Sequence, residues 1–357
     1  MSMVAPPARV TPIGERVIPD PLLFPRRAVA IARDAQPWCA VAIDAEEDFD
    51  WGSPIRGTSF STACMKNIPT LHEIFGAYGI VPTYLLTYPV LDDDDAVRLL
   101  DRQMAKGQCR VGLQLHPWVT PPIGGSDTLE SSFSGNLDPN LEEQKLLALR
   151  RRFIERFGDE PKAYRAGRYG LSAYTAGLLE KHGFTVDTSL APRTSFELEG
   201  GPDFFAYDYG LFWFGRHRDL LEVPLCRSVV GWGGAEAGAA YRWLSSPDVA
   251  RWRIGSALPR LRFAERVTLS PEGNDAAAME RLVRGLSARG QSILVLSFHS
   301  SSLLAGRNPY VRSKRDLHGF YDTLSAILDR MASRYRFRFT SLLDLPSLVM
   351  PRASLAA

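Results

Sequence analysis

The sequence lacks several features that would place its 357 residues in a specialised class of protein. Positive and negative side chains nearly balance, with 42 Lys and Arg against 40 Asp and Glu, so the net charge of +2 indicates no strong field for nucleic acid. No uninterrupted apolar run reaches the roughly 18 residues that a membrane-spanning helix needs. We therefore expect no nucleic-acid partner and no membrane span, and the sequence leaves the oligomeric state open.

Cysteine is also scarce, and the four cysteines are scattered without any CxxC pair: Cys39, Cys64, Cys109 and Cys226. Two of them, Cys39 and Cys109, lie in or beside apolar segments that resemble strands. This usage favours buried free thiols in a reducing compartment. The first residues also lack a basic start followed by an apolar run, so we expect a cytoplasmic protein.

A glycine-rich phosphate loop is missing after the first apolar strand, which argues against a nucleotide-binding fold. What the chain does contain is a regular alternation of strands and helices. Strands are predicted at 38–44, 80–88, 109–116, 162–167, 184–189 and 292–299, with further strands between 190 and 270. Helices are predicted at 68–79, 92–107, 140–158, 172–183, 274–290 and 316–335, the fifth capped by Asn274. About seven strands joined by crossover helices favour parallel pairing and a closed barrel. Three regions are expected: an arm at 1–36, the barrel at 37–347 and a tail at 348–357.

Polar residues collect where the predicted strands end. The first strand runs into "IDAEEDFDW", the third into "LQLHPW", and the last strong strand into "LSFHSSSL". An arginine follows another strand in "YRAG", and an aspartate follows the next in "VDTS". Because a parallel α/β barrel builds its active site at this end of its strands, these side chains are expected to meet.

Several of these residues have an ordinary structural interpretation beside the functional one. Asp44 and Glu46 lie on one side of a strand, where two carboxylates suit a base next to a metal ligand, although acidic runs are commonly solvated turns. His116 and His299 end apolar strands, where an unpaired ring would be costly. Gln114 shares a strand face with His116 and is a candidate weak ligand or packing residue. Trp118 is either a sugar-stacking platform or a cover for the core.

Taken in order, these segments resemble the motifs of the polysaccharide deacetylases, the NodB-homology carbohydrate esterases. The resemblance rests on "VAIDAEEDFDW", "GLQLHPWVTPP", "YRAGRYGLS", "VDTSLAP" and "LSFHSSSLLAG" and spans roughly residues 38–345. It looks closest to a divergent bacterial branch whose first motif reads D-x-E-x-D. The resemblance implies an α/β fold, a distorted (β/α)7 barrel of the glycoside hydrolase–deacetylase type.

The resemblance also implies roles for individual residues. Asp44 matches the catalytic base, Arg165 the arginine that holds the base, and His299 the general acid. The implied divalent metal, usually zinc, would be bound by Glu46 and His116, with Asp48 as an alternative acid and Gln114 where the family has a first histidine. Asp187 is a candidate for the acid that keeps His299 charged. The substrate, an N-acetylated carbohydrate, would lie against four residues: Trp118, Arg168, Tyr169 and Asp187. A backbone N–H near Tyr169 would stabilise the oxyanion.

Departures from the family pattern leave other functions open. The usual H-x-x-x-H spacing is shortened, Gln114 is a poor zinc ligand beside imidazole, and Gly167 stands where a proline is common. One alternative is an amidase or imidase that acts on a small C–N bond in the same fold. Another is a barrel that binds carbohydrate without a metal and without activity.

Overall fold

The structure is a computed structural model that describes residues 26–30, 36–48, 60–124, 128–230 and 265–351. Most of the predicted arm (1–36) lies outside these ranges. Residues 352–357 of the predicted tail lie outside them as well. The strands have the following bounds: β1 (Arg27–Ala30), β2 (Trp38–Ala45), β3 (Thr83–Leu86), β4 (Arg110–Leu115), β5 (Ala163–Ala166), β6 (Val186–Asp187), β7 (Phe212–Phe214), β8 (Leu220–Glu222), β9 (Arg227–Val230), β10 (Glu265–Thr268), β11 (Ile293–His299), β12 (Arg338–Thr340) and β13 (Met350–Pro351).

Seven of the described strands pair in parallel in the order β11-β2-β3-β4-β5-β6-β8. The short strand β12 also runs parallel to the start of β2. Every residue from Cys39 to Ala45 is buried, because helices cover the outer face of a parallel strand and side chains fill the inner face. This pattern explains why β2 and β11 read as nearly continuous apolar runs in the sequence.

Single backbone hydrogen bonds connect the two ends of this parallel series. The Leu269 N–H donates to the Cys226 carbonyl at 2.8 Å, and the Ser297 N–H donates to the Leu269 carbonyl at 3.1 Å. Cys226 lies shortly after β8 and Ser297 lies in β11, so the bonds bridge the gap between these strands. The expected distorted (β/α)7 barrel is confirmed.

Eight α-helices are described, and the main ones cover the outside of the sheet. Their bounds are α1 (Ile68–Gly76), α2 (Tyr88–Asp92), α3 (Asp94–Ala105), α4 (Pro139–Phe157), α5 (Ala173–Lys181), α6 (Ala276–Ala288), α7 (Lys314–Asp329) and α8 (Leu345–Leu348). The helix predicted at 92–107 begins at Asp94 because the Asp93 carboxylate caps it. The cap predicted at Asn274 is instead Asp275, which accepts the Ala278 N–H.

The outer elements extend the parallel sheet with antiparallel strands. Strand β7 pairs with β8, and β1, from the predicted arm, pairs with β7 and β13. The tail residues Met350 and Pro351 thus pair with a strand of the predicted arm. All four cysteines are buried free thiols. Within the described ranges, no helix is long and apolar enough to cross a bilayer.

Candidate active site

A cavity of about 480 Å³ opens where the parallel strands end. Strand β2 brings Asp44 to its wall, β4 brings Gln114, β5 brings Arg165 and β11 brings His299. His116, the residue after β4, lines it too. The structure therefore collects the chemistry-bearing strand ends into one site, as the alternation of strands and helices predicted.

The Asp44 carboxylate lies between an arginine and a histidine. Its Oδ1 accepts a hydrogen bond from Arg165 Nη1, and its Oδ2 lies 3.6 Å from His299 Nε2. His299 is the register partner of Asp44 across β2 and β11. Asp44 is 2% exposed, so this buried carboxylate depends on both cations for compensation of its charge.

Arg165 is fixed on every side of its guanidinium group. Its Nε and Nη2 donate to the carbonyl and the hydroxyl of Thr188, each at 3.0 Å, and Nη1 also donates to Ser297 Oγ at 3.0 Å. The side chain is fully buried. A planar group held by so many directed bonds presents Asp44 in one orientation.

His299 is held by Glu272, an acid that the sequence analysis did not single out. The Glu272 carboxylate accepts from His299 Nδ1 at 2.8 Å and from the His299 backbone N–H at 2.9 Å. Burial alone would lower the pKa of His299, but the carboxylates of Glu272, Glu46 and Asp44 outweigh it and raise that pKa well above its usual value. These neighbours therefore favour the charged form of the imidazole, and its Nε2 is directed towards Asp44.

Asp187, the predicted partner of His299, lies elsewhere. It is fully buried and is the register partner of Glu222 across β6 and β8. Burial raises the pKa of Asp187 and raises that of Glu222 well above its usual value, as expected for two adjoining carboxyl groups away from water. Asp187 accepts a hydrogen bond from Ser189 Oγ at 2.6 Å. It thus organises the segment that carries Thr188 and does not lie against the cavity.

A second buried group surrounds His116. Its Nδ1 lies 2.8 Å from Glu47 Oε1, the same oxygen that accepts from Trp118 Nε1 at 3.2 Å. The indole stacks on the imidazole with ring centroids 4.3 Å apart. On the other side of the ring, His116 Nε2 lies 3.6 Å from Glu46 Oε2. Glu47 thus orients the imidazole so that its second nitrogen is directed towards Glu46.

These residues can be tested for their fit to a divalent metal ion. Glu46 Oε1 and Gln114 Oε1 are buried and have no hydrogen-bond partner among the described residues. Burial raises the pKa of Glu46 to about 8, and a bound cation would favour the ionised carboxylate. In the described ranges, no three His, Cys, Asp or Glu side chains are grouped as metal ligands. Gln114 lines the cavity together with Glu46 and His116 and adds a third oxygen or nitrogen ligand among the described residues. One imidazole and two oxygen ligands suit a divalent ion but are less selective for zinc than two imidazoles.

Asp48, the alternative metal ligand, is not brought to the cavity. Its backbone bridges to Ser61, and its Oδ2 lies 3.5 Å from Arg307 Nε. The strand that carries Asp44 ends at Ala45, so the alternation of side chains no longer applies at this position.

The wall beyond Arg165 carries Arg168 and Tyr169. Both have left-handed backbones, with φ of 53° and 61°, an uncommon state for residues other than glycine that is found at functional sites. Arg168 forms an ion pair with Glu199 and lies over the Phe133 ring. Tyr169 stacks on Phe196 with centroids 5.9 Å apart. Both predicted substrate-side residues thus line the cavity, as does Trp118.

Comparison with known proteins supports the fold. No family model and no curated protein matches the sequence. Among solved structures, a protein of Mycobacterium smegmatis assigned as a polysaccharide deacetylase is 15% identical, with a TM-score of 0.51 over 93% of this chain and 96% of that chain. Puue allantoinase is 12% identical, with a TM-score of 0.50 over 88% of this chain and 90% of that chain. The chain has the fold of the NodB-homology deacetylases.

Proposed function

We propose that the chain is a hydrolase that removes N-acetyl groups from a carbohydrate. The observation that carries this proposal is the position of Asp44, buried at the cavity wall between Arg165 and the charged His299. A base and an acid on one reacting centre are what amide hydrolysis needs, because water must lose a proton and the leaving amine must gain one.

The proposed reaction uses these positions. Asp44 takes a proton from a water molecule as the water oxygen forms a bond to the acetyl carbon. The resulting oxyanion is stabilised by a backbone N–H near Tyr169. His299 then gives its Nε2 proton to the amine nitrogen as the C–N bond breaks, which leaves a free amine and acetic acid, and the acid loses its remaining proton to solvent as acetate. Arg165 keeps Asp44 oriented, and Glu272 stabilises the charge of His299.

A divalent ion, zinc in the family that the sequence resembles, is part of the proposal. Glu46 and His116 Nε2 would hold it, with the Gln114 amide oxygen as a third ligand. Such an ion polarises a carbonyl group and lowers the pKa of water. Glu47 would then support His116 in the manner typical of carboxylates behind metal-binding histidines.

The substrate would enter along the wall formed by Trp118, Arg168 and Tyr169. One face of the indole is covered by His116, so Trp118 would contact a sugar with its other face or its edge. We propose an N-acetylated precursor, lipid-linked or nucleotide-linked, as the substrate in the cytoplasm.

A small amide or a cyclic imide is the second candidate substrate class. Two observations favour it: Gln114 occupies the place of an imidazole, and a cavity of about 480 Å³ suits a small molecule. Puue allantoinase, which shares the fold, is by its name an enzyme of this second kind. A barrel that only binds carbohydrate is the third candidate, but binding requires no pairing of Asp44 with a charged His299.

A substrate panel separates the three candidates. Purified protein is incubated with N-acetylated oligosaccharides and with small linear and cyclic amides, and His299→Ala serves as the matched inactive control. Acetate release from oligosaccharides supports the deacetylase. Turnover of small amides without acetate release from oligosaccharides would contradict the deacetylase and favour the amidase. Saturable sugar binding with no turnover of any substrate would contradict both enzymes.

A further inference from the structure

Lys145 is a fully buried lysine on the inner side of α4. Its Nζ donates to three backbone carbonyls of one loop: Pro117 at 2.8 Å, Thr120 at 2.9 Å and Pro122 at 2.7 Å. These are full-strength hydrogen-bond distances for an ammonium group. An ammonium ion rarely leaves water completely, so its position here calls for a function.

The loop composition explains why these carbonyls need a donor from another element. Residues 117–122 read "PWVTPP", and three of the six are prolines without an N–H. The N–H groups of Val119 and Thr120, together with the Thr120 hydroxyl, all donate to the His116 carbonyl. The loop therefore has few donors of its own for its buried carbonyls, and Lys145 supplies them.

The same loop carries the side chains around His116. Trp118 belongs to it, stacks on the imidazole and donates to Glu47 Oε1. Because the Lys145 ammonium binds the carbonyls on both sides of Trp118, a shift of the loop would move the indole, and with it the imidazole.

We propose that Lys145 is a positioning residue that sets the orientation of His116 and Trp118 through loop 117–122. Lys145 does not line the cavity, so it acts through the loop and not on the substrate. The effect on catalysis rests on the proposed hydrolase function, whereas the effect on the loop does not.

The first test measures the loop directly. The indole N–H signal of Trp118 is recorded in ¹H–¹⁵N spectra and assigned with Trp118→Phe. We expect the signal to move and broaden in Lys145→Met and to stay in place in Lys181→Met, which removes an exposed lysine paired with Glu143. An unmoved signal in Lys145→Met overturns the proposal, whatever the enzyme assay gives. If the Met variant does not fold, Lys145→Gln, which keeps two N–H donors, takes its place under the same criterion.

The second test separates positioning from loss of fold by chemical rescue. Lys145→Ala removes the atoms that propylammonium reproduces, from Cγ to Nζ. We expect kcat/KM to fall at least about tenfold, with the loss mainly in kcat. Propylammonium should restore most of the rate and the Trp118 signal, whereas tetramethylammonium, which has no N–H, should restore neither. Equal effects of the two cations, or kcat/KM within twofold of the wild type, would overturn the proposal. A wild-type protein without any activity would refute the hydrolase and leave the spectra to decide the role of Lys145.

Discussion

Removal of the charge of Glu272 should lower the pKa of His299 by an amount that the geometry sets. Two unit charges about 4 Å apart interact by about 4 kcal/mol at an effective dielectric constant of about 20. Glutamine retains the hydrogen-bond acceptor, and the His299 side chain is 19% exposed. We therefore expect Glu272→Gln to lower the pKa of His299, by less than the full charge–charge interaction would give.

The shift can be measured in two ways. If protonated His299 is the general acid, kcat/KM falls as the pH rises above its pKa, so the alkaline limb of the profile should move to lower pH in Glu272→Gln. The ¹⁵N shifts of the imidazole should titrate over the same range. Glu280→Gln, which removes a carboxylate paired with Arg330 outside the cavity, is the matched control and should move neither. An alkaline limb that stays in place in Glu272→Gln would refute the assignment of Glu272 and the acid role of His299.

Three further predictions concern the surroundings of the site. A Cβ at Gly167 would lie 2.5 Å from the Leu115 carbonyl oxygen and 2.6 Å from His116 Cδ2, so Gly167→Ala should lower the free energy of unfolding by about 1–3 kcal/mol. Gly177→Ala, which meets no atom within 4 Å, should not lower it, and equal losses in urea unfolding would contradict this account. Burial raises the pKa of Glu142 to about 7. The protonated Glu142 therefore stabilises the fold fully below the pKa of the unfolded chain, and this stabilisation is lost as the pH rises through about 7. Glu142→Gln should therefore stabilise the fold by about 3 kcal/mol near pH 8.5 and not near pH 4; a gain that does not change with pH would exclude this titration. Elemental mass spectrometry should find about one divalent ion per wild-type chain and none in His116→Ala, and equal metal content in both would remove His116 from the ligands.

The sequence predicted the parts of the site that depend on alternation. Asp44, Arg165 and His299 each lie at the end of a buried parallel strand, so their meeting follows from the order of strands and helices. The same pattern located His116, one residue beyond β4. These side chains could be predicted because the period of a strand fixes their direction.

Glu47 and Glu272, the acids that support the two histidines, could not be predicted in this way. Glu47 lies beyond Ala45, the last residue of β2, so alternation along the strand does not fix its direction. Its carboxylate contacts His116 Nδ1, whereas that of Glu46 faces Nε2. Glu272 lies between β10 and α6, after a stretch of sequence with no clear period. Its contact with His299 spans 27 residues. It depends on how the segment after β10 meets β11, where the Ser297 N–H donates to the Leu269 carbonyl, and composition and spacing do not report this.

The most direct test of the proposed hydrolase is acetate release from an N-acetylated oligosaccharide by the wild type and by Asp44→Asn. We expect the wild type to release acetate and the variant to be slower by at least about 10²-fold. Its circular dichroism should be unchanged, because Asn can still accept from Arg165 and Arg165 keeps its bonds to Thr188 and Ser297. A folded Asp44→Asn variant that releases acetate at the wild-type rate would contradict the role of Asp44 as the base.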